Sequence, residues 1–261
     1  MRVRAKKTAW IFAMAILLAT LVLIVNSRAQ LNDEVIVGGA DSVFVKSDNL
    51  KSPLDDYTEI GKGVDGLEYP NIDINDWQYV LINGENPDAS YEPNVAEIGE
   101  TGIFFANDAM ANLKSLLSAA KDAGFTPYVS CGYRSYSSQQ FVFTTKANQL
   151  TVDGTYTYTE AVEVAKKTVA YPGTSDHQTG LAVDIMDKEY AEYDFSKMDK
   201  AFFNWLDENC AEYGFIKRYP SNKADITGWD EPWHYRYVGR EAALFIMENG
   251  LSYEEFVTHY R

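Results

Sequence analysis

Histidine and cysteine are the scarce residues of this 261-residue chain, with three of the first and two of the second. Two cysteines exclude a small scaffold held by several disulfides, and they exclude a metal site built from four thiolates. Three histidines mean that any imidazole chemistry must rest on His177, His234 or His259. Basic residues are also short, 23 against 38 acids, which sets the formal net charge at −15. Internal repeats and low-complexity runs are missing as well, which excludes solenoids and collagen-like rods. What is present, 46% hydrophobic and 23% charged residues, suits one globular domain with extra segments.

The few basic residues are unevenly placed. Arg2, Arg4, Lys6, Lys7 and Arg28 all precede Gln30, in a stretch with no acid, so the rest of the chain carries −20. A body this acidic is a poor holder of nucleic acid, anionic membrane surfaces or polyphosphates. Its ligand is expected to be small and neutral, or specifically gripped. Between the basic flank and Asn26 runs an uninterrupted apolar segment, Ala9 to Val25, long enough at about 1.5 Å per residue to span roughly 25 Å. The positive flank is expected to stay in the cytoplasm and the remainder to be exported. Ser27 and Ala29 would suit a signal peptidase, so residues 1–30 read as a signal anchor or a signal peptide, with the long apolar run favouring the anchor. An oxidising compartment would permit a bridge between Cys131 and Cys210; two buried free thiols are the equal alternative.

Residues 31–76 are rich in Asp, Asn, Gly and Ser and lack sustained periodicity, which predicts an acidic, partly disordered tether. From Trp77 to Arg261 the patterning is that of a packed domain. "WQYVLI" reads as a strand, and Asn107 to Ala123 as a helix with Leu113, Leu116, Leu117 and Ala120 on one face and Gly124 as its stop. "FTPYVSC" reads as a strand, with helices over Tyr136–Leu150 and Thr159–Ala170. "GLAVDIM" alternates Leu181, Val183 and Ile185 on one face with Ala182, Asp184 and Met186 on the other. A helix opened by Ser196 and Asp199 ends at Gly214. "FIKRY" and "WHYRYV" follow as strands, and a last helix is capped by Ser252 and Glu255. With no repeating βαβ unit, the expected class is α+β, a mainly antiparallel sheet with helices packed around it.

Chemistry concentrates in three stretches. His177 lies in "TSDHQTGLAVDI", seven residues before Asp184, and His234 lies in "DEPWHYRYV", three after Glu231. Two imidazoles and a carboxylate are the three-ligand set of a catalytic zinc site, which keeps a fourth position for water. Gly180 allows the turn between His177 and the Asp184 strand. Pro232 makes a regular strand at Glu231 doubtful, which would let that carboxylate lie on a loop and act as general base rather than as a ligand. In "SCGYRSYSSQQ", Arg134 follows a strand in a turn and could clamp a substrate carboxylate, with Gln139 adding a hydrogen bond. His259 reads as a surface residue.

"SDHQTGLAVD" and "EPWHYRYVG" resemble the S-x-H-x-x-G-x-A-x-D and E-x-W-H motifs of the VanY-type D-alanyl-D-alanine carboxypeptidases. That family lies within the zinc peptidase group that includes lysostaphin-like enzymes and the hedgehog signalling domain. "SCGYRSYSSQ", "VLINGENPDASYEP" and "YGFIKRYP" extend the similarity over residues 77–261, with Cys131 standing where the family usually has Ser. The resemblance implies one Zn2+ bound by His177, Asp184 and His234, Glu231 as catalytic base, Arg134 at the substrate carboxylate, and Ser175 and Gln139 lining the pocket. It implies removal of the terminal D-Ala from peptidoglycan stem peptides. The chain is further expected to be a monomer, extracytoplasmic, anchored by its N-terminal segment or secreted, and to meet the membrane only through that segment. L,D-carboxypeptidase or cross-link endopeptidase action on the same zinc, and a non-catalytic zinc-containing binding module, stay open as alternatives.

Overall fold

The alternation in "GLAVDIM" sets the frame of the molecule, because a strand that is apolar on one side and carries an aspartate on the other must separate a core from a site. The computed structural model describes residues 67–261. The expected membrane segment and the tether up to residue 66 lie outside the described residues. Strands β1 (Val95–Glu97) and β2 (Phe104–Ala106) form a short antiparallel pair. The main sheet contains β3 (Tyr128–Cys131), β4 (Ala182–Met186), β5 (Phe215–Tyr219) and β6 (Glu231–Tyr237). Its order is β3-β4-β6-β5, antiparallel throughout, so β4 and β6 are its two central strands. The α+β expectation holds.

Helices cover the apolar face. Helix α1 (Met110–Asp122) buries Leu113, Leu116 and Ala120, while the expected fourth member, Leu117, is only partly covered. These residues meet Val183 and Ile185 of β4, Tyr235 of β6, and Phe202, Phe203 and Leu206 of α4 (Lys200–Asn209). Truncating Leu113 or Leu116, both fully buried, to Ala would cost roughly 2–5 kcal/mol. Cys210 belongs to this core, whereas Cys131 sits half-buried on the edge strand β3; both are free thiols, so the structure adopts the unbridged alternative. A second cluster joins α6 (Arg240–Asn249) and α7 (Tyr253–His259) to Tyr79, Ile216 and Val238. The Ser252 and Glu255 capping box of α7 forms as expected. Among the described residues no helix is long and apolar enough to cross a membrane.

Four local readings change. "WQYVLI" is a short 3-10 turn, Trp77–Tyr79, followed by unpaired extended chain, because the Gln78 and Val80 carbonyls accept hydrogen bonds from Arg236 rather than from a neighbouring strand. The packed body begins before Trp77: Leu67, Tyr69, Ile72 and Ile74 lie against the second cluster, and Tyr69 stacks on the exposed ring of His259 at 3.5 Å. Helix α2 (Tyr136–Thr151), capped by Ser135, pairs with α3 (Tyr158–Ala165), which stops five residues before Ala170. The turns that follow direct the Ala170 carbonyl at the Gln139 side chain. Finally, α4 is capped by Asp199 alone, since the Ser196 hydroxyl is turned to Asp194. A single turn, α5 (Ala224–Thr227), precedes β6.

Candidate metal centre and substrate cavity

The register of the sheet places the chemistry. Asp184 of β4 and His234 of β6 are direct cross-strand partners, on the face opposite the Val183 and Tyr235 core. His177 arrives from the 3-10 turn Asp176–Thr179, which ends at Gly180 with φ of 72°, a left-handed conformation natural to glycine. Pro93 and Val95 also crowd the place where a Cβ of residue 180 would stand. The three sequence-selected ligands therefore converge.

Their donor atoms behave as if aimed at a common point. His234 Nδ1 lies 3.2 Å from Asp184 Oδ1, and His177 Nε2 lies 3.5 Å from the same oxygen. Two ligands about 2.05 Å from a tetrahedral ion stand about 3.3 Å apart, so these separations are those of tetrahedron edges. Asp184 Oδ1 and His234 Nδ1 are both buried without a hydrogen-bond partner, a costly state that a cation would relieve. The far nitrogens are occupied: His177 Nδ1 donates to the Gly132 carbonyl at 2.8 Å, and His234 Nε2 faces Asp176 Oδ2 at 3.2 Å. Such outer partners orient imidazole ligands. The residues fit zinc. Cys131 also gathers near His177 and Asp184, but its sulfur sits on the Nδ1 side of His177, 3.8 Å away, and accepts from Arg134 Nη2 at 3.0 Å. We assign the third ligand to His234, whose unpartnered Nδ1 lies against the same Asp184 oxygen that His177 Nε2 approaches.

Electrostatics agree with a cation site. Burial favours neutral Asp184, but His177 and His234 outweigh it and hold the carboxyl well below its ordinary range. Burial likewise disfavours charge on the two rings. Cys131 and Asp184 nevertheless raise His177, and Asp176 and Asp184 raise His234.

Glu231 is not on a loop as the sequence suggested. It opens β6, paired with Tyr219, but two steps along β5 match four along β6, so the strand is irregular between Glu231 and Tyr235. That irregularity lets residues three apart share a side, and Glu231 Oε2 reaches to 3.4 Å from His234 Nδ1. Burial pushes its carboxyl above the usual glutamate value.

Ser175, Arg134 and Glu231 line one cavity of about 540 Å³ with the three ligands, walled by Tyr193, Tyr219, Trp229 and Trp233. Gln139 does not line it. The side chain is fully buried, accepts from Arg134 Nη1 at 2.8 Å and donates to the Ala170 carbonyl at 2.6 Å, so it orients the arginine instead of meeting a ligand. Sequence reasoning also passed over Asp176, the acid directly before His177, and the aromatic wall residue Tyr193. The one signal for Asp176 was its place directly before a candidate ligand, which does not tell a buried acid from a solvated one; Tyr193, in a polar loop, had none.

A family model described as VanY, D-alanyl-D-alanine carboxypeptidase, matches residues 103–240, more than half of the chain. The chain belongs to the VanY family. An Enterococcus faecalis D-alanyl-D-alanine carboxypeptidase is 40% identical over 187 residues, 71% of this chain and 67% of that protein. Two solved VanY structures align closely. One, a mutant of the vancomycin-resistance D,D-pentapeptidase in complex with Zn(II), shares 39% identity over 70% of this chain and 99% of its own, with a TM-score of 0.61. The other, VanYB in complex with D-alanine-D-alanine, shares 38% identity over 71% and 100%, with a TM-score of 0.62. This VanY member is a metallo-carboxypeptidase, and its metal is zinc.

Proposed function

We propose that the chain hydrolyses the terminal peptide bond of peptidoglycan stem peptides ending in D-Ala-D-Ala, releasing the last D-alanine. The observation that carries this reading is a guanidinium, Arg134, in the same cavity as a half-buried base, Glu231, and the three candidate metal donors. A cation held beside a hydrolytic centre selects substrates by their terminal carboxylate, which is the mark of an exopeptidase. His177, Asp184 and His234 would hold the zinc, which would supply Lewis acidity to the site.

The chain's own residues do the rest. Arg134, held by Gln139 and Cys131, grips the carboxylate and sets the scissile carbonyl against Glu231. Glu231 takes a proton from the attacking water as its oxygen bonds to the carbonyl carbon. The same carboxyl returns the proton to the departing nitrogen as the carbon–nitrogen bond breaks, leaving a shortened peptide and free D-alanine.

The apolar segment Ala9–Val25 and its basic flank support placing the enzyme outside the cytoplasmic membrane, anchored by that segment; we take it to act as a monomer. Cell fractionation with external protease, and sedimentation of the purified chain, check these two points. The activity is tested with the zinc-loaded full chain in detergent and purified muropeptides read by mass spectrometry. Pentapeptide stems are expected to lose one alanine, a chelator to stop this, and zinc to restore it. Loss from tetrapeptides alone would replace the reading with L,D-carboxypeptidase action, and splitting of cross-linked dimers with endopeptidase action. Zinc binding without any cleavage would leave a binding module.

A further inference from the structure

Behind His234 lies a charged cluster that hydrolysis itself does not require. Asp176 is completely buried, with Oδ2 3.2 Å from His234 Nε2 and Oδ1 accepting from Arg236 Nη1. Arg236, also fully buried, spends its other nitrogens on the carbonyls of Gln78 (3.2 Å), Val80 (2.5 Å) and Tyr237 (3.0 Å). Ala182, its cross-strand partner, adds little bulk beside it. Arg218 approaches Asp176 Oδ2 to 3.8 Å through Nε, while its two terminal nitrogens are held by Glu254 of α7. Burying so much charge is costly unless each group is paired.

Resting on the zinc reading above, we propose that Asp176 is a positioning residue that keeps the proton of His234 on Nε2, so that Nδ1 stays available as a metal donor. Arg236 fixes which oxygen of the acceptor-only carboxylate meets the ring. Because the guanidinium claims Oδ1, the only oxygen left for the ring is Oδ2, an acceptor, and an acceptor there demands N–H on Nε2. An asparagine would behave differently despite its identical shape. Its single carbonyl oxygen would be drawn to Arg236, turning the amide nitrogen toward the ring. Nε2 must then accept, and the proton moves to Nδ1, where it blocks the metal. The anchor points of Arg236 and Arg218 extend this control to the chain around Gln78–Val80 and to α7, so the ligand's tautomer is set by contacts far along the sequence.

The test compares the wild-type full chain with Asp176→Asn. Zinc affinity is measured by competition with a chromogenic chelator, cobalt(II) serves as a spectroscopic probe, and circular dichroism checks the fold. The variant is expected to bind zinc about 10- to 100-fold more weakly and to show an altered cobalt ligand-field band. In the metal-free variant, nitrogen-15 NMR of the side chains is expected to place the His234 proton on Nδ1, a change that mere loosening would not produce. If the variant fails to fold, the zinc-loaded wild type decides: a protonated Nε2 on His234 supports the proposal, and a metal-bound Nε2 overturns it. Equal zinc affinity of a folded variant and wild type also overturns it. A wild type that binds no zinc sinks the functional reading itself, and this proposal with it.

Discussion

Asp184 and His234 stand on the two central strands, paired with each other and nearly sealed from solvent at 5% and 2% exposure. Arg134, across the same cavity, hangs on the chain leaving the edge strand β3 and is only half-buried. The first pair is positioned by the ladder of the sheet. The second is positioned by side chains, Gln139 and Cys131, and by one backbone bond from its amide to the His177 carbonyl. A change in the central half therefore strikes the chemistry or the metal, while a change in the peripheral half strikes substrate affinity. The difference follows from where a sheet is stiff.

The largest expected effect breaks the central half without moving it. Glu231→Gln keeps the volume and the zinc but removes the base, so kcat is expected to fall roughly 10²- to 10⁴-fold with metal content unchanged; D-alanine release and metal analysis check this. The same variant reports on burial. Because burial raises the Glu231 pKa, the folded state binds a proton more readily than the unfolded chain. Stability is then full below the unfolded value and falls as pH rises through the folded one. Glu231→Gln is accordingly expected to melt higher than wild type at neutral pH, with the gain vanishing at acid pH, as read by metal-free thermal denaturation. By the same shift, the acid limb of kcat/KM lies above the ordinary glutamate range.

The contrast between the two halves also explains what could be read from the chain alone. Asp184 was visible because a single carboxylate interrupts an otherwise apolar strand, and period-two alternation put it opposite the Val183 and Ile185 core. His177 and His234 were visible because there are so few histidines. The pairing of Asp184 with His234, fifty residues apart, is a property of strand order that no local pattern carries. Asp176 was missed for the same reason: its partners His234 and Arg236 lie about sixty residues away. Arg236 falls two residues after His234 and so shares its face, yet a charged residue in a strand is more often solvated, and only the sheet order shows that it is enclosed. "WQYVLI" misled because its apolar residues do face a core, while its backbone partners are a side chain rather than a strand.

In the peripheral half, Arg134→Ala removes the carboxylate grip. A charge-assisted hydrogen bond of about 1.5–3 kcal/mol corresponds to a KM increase of roughly 10- to 100-fold, with kcat reduced less, measured on a pentapeptide by steady-state kinetics. Gln139→Leu should act on the same parameter but more weakly, roughly 5-fold, because one neutral bond to Arg134 is lost while the Cys131 contact remains. Equal losses in kcat from either change would show that the arginine also serves the reacting carbonyl, and would blur the division between the two halves.

Cys131→Ser is the smallest change and the finest test of how the clamp is held. Burial pushes the Cys131 thiol up, but His177 and Arg134 offset this and leave it more acidic than an ordinary cysteine. A serine oxygen can accept from Arg134 in the same place, so KM is expected to stay within about 3-fold of wild type. The replacement should nevertheless change the response to a small methanethiosulfonate. In the wild type, reaction at Cys131 adds bulk beside the guanidinium and is expected to abolish D-alanine release. The serine variant should be untouched, because the remaining thiol, Cys210, is fully buried in the core and raised in pKa by that burial. Inactivation of the serine variant at the wild-type rate would place the sensitive group elsewhere and remove Cys131 from the support of Arg134.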